Sequence, residues 1–412
     1  MDSRTPLVVV AGWSDPVRRV GASLLGPGTV LVRHDLSLVR EGMVTRTVTT
    51  AADEQIAMVR LEHGCVSCTV RVDLLPLLRM LSGRASVERI VVLLDPAMDP
   101  AEICRAITHV PVTGMVGRAD APAGREVRIT AVVGALDAQT WLADATGDET
   151  LCERLGTGGD DDRTVAQVAL AQADAADAVV LFGRPDPLDA AVTAAVLARL
   201  APGAPIIWAD TAPIDVAAAL AALPGAARAA GEFDPHAPLL RGSPPLDVDS
   251  GVVLLEFDAD RPFHPERLHE AIDVLMDGVV TARGRVWLAT QPHQVMWIES
   301  AGAALRLGPA GDWLAAMTPD EQAEDPERLA MAAARWHPDF GDRHTALVVL
   351  AHSADPSAID RALRWALLTD TEMRRPQSWP TMPDPFGEWH RDPCDTTEST
   401  PTNIVGEGDL PL

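Results

Sequence analysis

The 412-residue chain contains no lysine and no tyrosine, so all 34 of its basic side chains are arginine. The first absence excludes any site built on a lysine ammonium, including the lysine of a G-x-x-x-x-G-K-[ST] phosphate-binding loop. Five cysteines in so long a chain are too few for a disulfide framework and fit a reducing compartment. No unbroken apolar run is long enough to span a bilayer, and no secretory leader pattern opens the chain. The expectation is therefore a cytoplasmic protein with no membrane partner. Positive charge is also scarce, and 34 basic against 59 acidic residues leave a net charge of -25. Such a surface does not neutralise phosphate backbones, which argues against direct nucleic-acid binding, and it suits a basic protein partner.

Against these absences stands one chemically loaded stretch, His63 to Leu78, in which Cys65 and Cys68 fall three residues apart. Two thiols at that spacing can chelate a soft cation or close a small redox disulfide, and Gly64 lets the backbone turn sharply into the pair. They can equally be small buried hydrophobes. Structural zinc wants four ligands, no second C-x-x-C exists, and His63 is the nearest third donor. The apolar positions Val70, Leu74, Leu75, Leu77 and Leu78 predict a helix after the loop, with Pro76 as its awkward residue.

The rest of the chain supports an α/β fold. Leu7 to Val10 reads as a strand, Trp13 to Pro16 as a loop, and the residues through Leu25 as a helix. That loop is where a phosphate cradle belongs, but Trp13, Asp15 and Pro16 crowd, repel or remove donors from a phosphate. Further strands are expected at Val30–His34, Val44–Thr49, Ile56–Leu61, Glu88–Leu94, Val127–Leu136 and Ala178–Phe182, alternating later with helices. This pattern predicts a mostly parallel sheet domain over residues 1–230. Proline, glycine and aspartate mark 231–250 as a linker. Residues 251–375 read as a smaller α+β domain, with strands at Val252–Phe257, Val286–Ala289, Gln294–Ile298 and Thr345–Leu350. Residues 376–412 read as a proline-rich acidic tail. His264, His269, His337 and His344 fall on separate elements and are expected to be structural or exposed.

The cysteine loop, together with Arg261-Pro-Phe-His-Pro-Glu-Arg-Leu, Arg283-Gly-Arg-Val-Trp-Leu-Ala-Thr and Gly341-Asp-Arg-His-Thr-Ala-Leu-Val-Val, resembles the CobW-type GTPases. The resemblance implies a P-loop-GTPase-like sheet domain, a CobW C-terminal-type α+β domain, and zinc and GTP as cofactors. Carried over residue by residue, it implies Gly12, Asp99 and Asp186 as remnants of the nucleotide site, and Cys65 and Cys68, with His63, as metal ligands. The departures are large. Gly12 to Val20 replaces the P-loop, Leu93 to Pro100 keeps only Asp99 and Pro100 of the magnesium segment, and Gly183-Arg-Pro-Asp186 keeps only the aspartate of the guanine-reading motif. Ser67 occupies the middle cysteine of the metal motif. Within the family, the wording of Gln294-Val-Met-Trp-Ile-Glu-Ser-Ala-Gly and Asp384-Pro-Phe-Gly-Glu-Trp-His is similar to an actinobacterial branch that recruits a ribosome hibernation factor. This implies a zinc-responsive adaptor that reaches the small ribosomal subunit through that factor, with hydrolysis not expected. The alternatives are a GTP-dependent zinc metallochaperone and, with less support, thiol redox chemistry at the cysteine pair.

Overall fold

The computed structural model describes residues 2–156, 161–210, 215–223, 234–240, 242–323 and 325–387. The β-branched runs form the first sheet: β1 (Thr5–Gly12), β2 (Thr29–Asp35), β3 (Met43–Thr49), β4 (Glu54–Arg60) and β5 (Arg89–Leu93). A two-residue ribbon, β6 (Pro111–Val112) with β7 (Ala121–Pro122), precedes β8 (Val127–Asp137), β9 (Ala178–Phe182) and β10 (Ile206–Trp208). The eight-stranded order is β10-β9-β8-β1-β5-β2-β3-β4. Pairing is parallel from β10 to β2 and antiparallel from β2 to β4.

Alternation along β1 shows why its apolar run is continuous. Leu7 and Val9 enter the core under one set of helices, whereas Val8 and Val10 face the other side. A strand covered on both faces has no polar side to offer. On the Val8 face lies α1 (Ser14–Leu24), whose Val17, Val20 and Leu24 repeat at helical spacing. On the Leu7 face lie α2 (Val66–Thr69), α3 (Leu75–Ser82) and α4 (Pro100–His109). The remaining helices of this domain are α5 (Trp141–Thr146), α6 (Leu151–Leu155), α7 (Val165–Asp174), α8 (Pro187–Leu200) and α9 (Val216–Ala221).

The second domain is an antiparallel sheet of β11 (Val253–Ala259), β12 (Val279–Val286), β13 (Gln294–Ala301), β14 (Ala304–Asp312) and β15 (Thr345–Ala351), in the order β11-β15-β12-β13-β14. One face carries α10 (Pro265–Ala271) and the helix Pro356–Ala366. The opposite face is buried against the first domain, where Val280, Ala301 and Leu350 share a core with Trp141, Ala169 and Val196. An apolar interface of this kind holds two domains as one body. The β13–β14 turn docks at the same seam. A Cβ on Gly302 would lie 2.5 Å from the Gly147 carbonyl oxygen, so only glycine fits there.

Three differences from the sequence reading have physical causes. The strand expected at Val286–Ala289 runs instead from Val279 to Val286, because Gly284 interrupts the pattern while the backbone stays paired. The unanticipated β14 contains Gly308, Pro309 and Gly311, residues a strand tolerates at a sheet edge, where β14 lies. Residues 376–387, read as the start of a tail, pack on the second domain. Trp379 is buried against Trp287 and Phe340, and Asp384 accepts hydrogen bonds from Thr290 and Gln291. The remainder of that expected tail, 388–412, lies outside the described residues. Described parts of the expected linker are strapped down by arginines: Arg285 donates to the Pro235 carbonyl at 2.8 Å and Arg199 to that of Asp247 at 2.5 Å. Among the described residues, no helix is long and apolar enough to cross a membrane.

Candidate functional site

The cysteine loop leaves β4 and enters a helix. Cys65 has extended backbone and caps α2, its sulfur accepting the Cys68 N–H at 3.3 Å. From α2 the helix passes through a wider π-turn, Val70–Leu74, into α3, with Pro76 in the first turn of α3. Pro76 has no N–H to give the ladder, and the wider turn just before it absorbs the mismatch. Gly64 is pressed against the Val39 carbonyl oxygen, where a Cβ would collide. His63 and Cys65 are exposed and Cys68 half-buried, whereas Val70, Leu74, Leu75 and Leu78 are sealed in the core. Burial, reinforced by the neighbouring Cys65 sulfur, pushes the Cys68 thiol above its ordinary range.

Directly behind the loop is a charge cluster that sequence reasoning missed. Asp73, in the π-turn, pairs with His34 Nε2 at 2.7 Å and with Arg46 at 2.6 Å. His34 on β2 and Asp73 are both buried. The three residues come from two strands and a helix, and only the sheet order brings them together. The one signal in the sequence was polar residues at inward positions of apolar elements.

At the same end of the sheet lies the crevice at the carboxyl ends of the parallel strands, where α/β sheets bind ligands. Here β1 ends at Gly12 and α1 begins at Ser14, leaving Trp13 alone between them. The loop expected over Trp13 to Pro16 is therefore absent, since Ser14 onward is already helix. A phosphate cradle needs several successive loop N–H groups, which this connection does not supply. Gly12 has a φ of +148°, and a Cβ there would run into the Ala135 carbonyl of β8. Its bareness thus serves strand packing. The Trp13 ring is covered by the Arg154 guanidinium at 5.3 Å.

The neighbouring polar groups are committed to one another. Arg19 makes a forked pair with Asp210 at 2.6 and 3.0 Å and lies 4.2 Å over the Phe182 ring. The Arg19 guanidinium, helped by the Gly183 N–H, holds the Asp210 carboxyl down at about 2. Asp99 caps α4, accepting from the N–H groups of Ala101 and Glu102 at 2.8 and 3.0 Å. Asp186 caps α8 in the same way, through Leu188 and Asp189 at 2.8 and 3.1 Å. Asp95, just past β5, was not singled out by sequence. It accepts from Leu36 and Ala97 at 3.2 and 3.0 Å, and burial raises its pKa. These residues do not fit a triphosphate: the cradle backbone is missing and the nearest arginine fork is occupied.

The sequence candidates line the carboxyl ends of the strands of one sheet. Gly12, Asp99 and Asp186 sit at three separate strand–helix junctions, and the cysteine pair lies on a loop after β4. Among the described residues, no three His, Cys, Asp or Glu side chains cluster so as to hold a metal ion. The thiol chemistry of Cys65 and Cys68 suits zinc, but the loop supplies an incomplete set of donors. His264 occupies the N-cap position of α10 without a side-chain capping bond, whereas His337 stacks on Phe340 and His344 leans on Trp313.

Comparison with known proteins agrees with this architecture. Residues 32–206 match the family described as CobW/HypB/UreG, nucleotide-binding domain, and residues 252–367 match the cobalamin synthesis protein cobW C-terminal domain. A protein named zinc chaperone from Mycobacterium tuberculosis is 48% identical over 398 residues, covering 95% of each chain. The chain belongs to the CobW family. It is thus a P-loop-GTPase-like sheet domain followed by a CobW C-terminal domain, in a family with zinc-linked members. The first of the two matches begins inside β2, beyond the β1–α1 turn. The zinc-regulated GTPase metalloprotein activator 1 of Dictyostelium discoideum is 24% identical over 366 residues, covering 86% of this chain and 76% of that protein. Among solved structures, the Zn(II)-bound YjiA GTPase of E. coli matches with a TM-score of 0.36 at 13% identity, over 89% of this chain and 99% of that one.

Proposed function

We propose that this protein is a zinc-responsive CobW-family adaptor that works without hydrolysing GTP. Cys65 and Cys68 take zinc in a partial two-thiolate site that His63, brought in by movement of the loop, or a donor from another protein or solvent completes. The observation that carries the reading is the contrast between a β1–α1 connection of one residue and an exposed thiol at Cys65. Two thiolates bind zinc more weakly than a four-ligand cage, and occupancy of such a site follows the free zinc level.

In the finer form of this proposal, the partner is a ribosome hibernation factor, carried to the small subunit in the cytoplasm when zinc is scarce. Its support is the resemblance of the stretches quoted above and a net charge of -25, which suits a basic partner. The test is affinity capture of the tagged chain from zinc-replete and chelator-treated cells. Recovery of the hibernation factor from the starved cells alone is expected, and its absence from both would refute this form.

A second reading, a GTP-dependent zinc metallochaperone, is favoured by the name of the 48% identical relative. Measurable GTP turnover by the pure protein would select it over the adaptor.

A further inference from the structure

A sheet edge exposes a row of unpaired backbone N–H and C=O groups, and proteins usually blunt it. Among the described residues, the two sheets have four edges, and three of them are blunted. β10 has three residues. β14 carries Pro309, and its pairing with β13 is irregular. β11 carries Glu256 and Asp258, with Arg335 paired to Asp258 at 2.6 Å.

The fourth edge, β4, is neither short nor irregular, and its only charges, Glu54 and Arg60, stand at its two ends. It runs seven residues, Glu54-Gln-Ile-Ala-Met-Val-Arg60, with no proline, and it pairs with β3 in unbroken register from Thr49↔Glu54 to Met43↔Arg60. Ile56 and Met58, at 66% and 63% exposure, stand on the same face of this strand, flanked by Thr47 and Thr45 of β3. An edge strand that leaves two large apolar side chains in water is built for a neighbour.

The sequence of β4 says which neighbour. Laid antiparallel against itself about Ala57, the strand places Glu54 opposite Arg60, Gln55 opposite Val59, Ile56 opposite Met58, and Ala57 opposite Ala57. Every pair is compatible. The two ends pair opposite charges, and the centre pairs small with small. Because side chains alternate along a strand, Glu54, Ile56, Met58 and Arg60 share one face, so the ionic and apolar pairs form one continuous stripe. A slip of one residue destroys all of these matches at once. We propose that β4 is a self-recognition edge, on which two copies of this chain pair antiparallel about Ala57 and join their sheets. Strand pairing alone covers less surface than a standard stable interface, and the acidic chains repel at long range. The dimer is therefore weak, concentration-dependent and favoured by salt.

Sedimentation velocity over a concentration series tests this with the full chain, comparing wild type, Glu54→Arg, Arg60→Glu, the double exchange, and Met58→Lys, with circular dichroism to confirm that each folds. The expected wild-type behaviour is a shift from the 43.8 kDa monomer toward twice that mass as concentration rises. Each single charge reversal places like charges opposite one another twice over by symmetry, and weakens association about tenfold. The double exchange restores it, and Met58→Lys abolishes it. A wild-type chain that stays monomeric up to its solubility limit overturns the proposal and leaves the edge to a strand from another protein. A dimer indifferent to both single reversals, or not rescued by the double exchange, also overturns it, by placing the contact elsewhere.

Discussion

The first domain holds two places where the family's chemistry is expected, and they differ in what their side chains are free to do. At the carboxyl ends of β1, β5 and β9, the polar residues already serve the fold. Arg19 grips Asp210, Asp99 and Asp186 cap helices, and Gly12 packs against β8. At the loop after β4, Cys65 and His63 are exposed, while Val70, Leu74, Leu75 and Leu78 behind them are buried in the core. A site keeps its chemistry only where donors remain uncommitted and the backbone behind them is fixed. By that criterion the two places differ in degree: Cys65 spends its sulfur on one backbone N–H, whereas Arg19 and Asp210 fill a forked ion pair.

The sharpest challenge to this contrast is to loosen the support behind the loop. Asp73→Ala leaves the buried His34 and the half-buried Arg46 without their carboxylate partner, and orphaning buried polar groups in this way costs about 2 kcal/mol. Urea denaturation is expected to show that loss, and a cost near zero would mean that the loop is not rigidly backed. Next in size are the capping aspartates. Asp99→Ala and Asp186→Ala are each expected to lower stability by about 1 kcal/mol, as helix caps do, with no change in nucleotide affinity. A fall in GTP affinity in either variant would make these residues ligands and break the contrast.

A smaller effect is expected for Asp210→Ala. The pair with Arg19 is partly exposed, so its loss costs less than about 1 kcal/mol. Freed in this way, Arg19 still lacks a cradle beside it, and equilibrium binding is expected to show no gain in GTP. The gentlest probe is the order of thiol alkylation in the native protein. Exposed Cys65 is expected to react first and half-buried Cys68, its thiol pushed up, more slowly. Cys104 is buried with its thiol pushed up to about 12, and is expected to resist until the chain unfolds. Peptide mapping after timed iodoacetamide exposure gives the order, and early labelling of Cys104 would contradict the packing behind the loop.

Much of the fold was legible because its signals are local. Continuous apolar runs such as Ala178–Phe182 could only be strands covered on both faces, and the helix after Cys68 followed from its apolar spacing. The absence of a P-loop lysine is plain in the sequence, whereas the shortness of the β1–α1 connection was not legible, since Trp13 to Pro16 looks like a loop by composition. The Asp73 cluster was hidden for another reason. His34 and Arg46 lie far from Asp73 in sequence, and nothing local announces that β2 and β3 will pass behind the π-turn. β14 was hidden because an edge strand accepts the glycine and proline that disqualify a central one.

Calorimetric titration of the reduced protein with zinc tests the central claim most directly, with wild type and Cys65→Ala plus Cys68→Ala side by side and a GTP–magnesium titration of each. The account predicts zinc binding by the wild type, its loss in the double variant, and no heat from GTP in either. Equal zinc binding by both proteins, or tight GTP binding by the wild type, would contradict it.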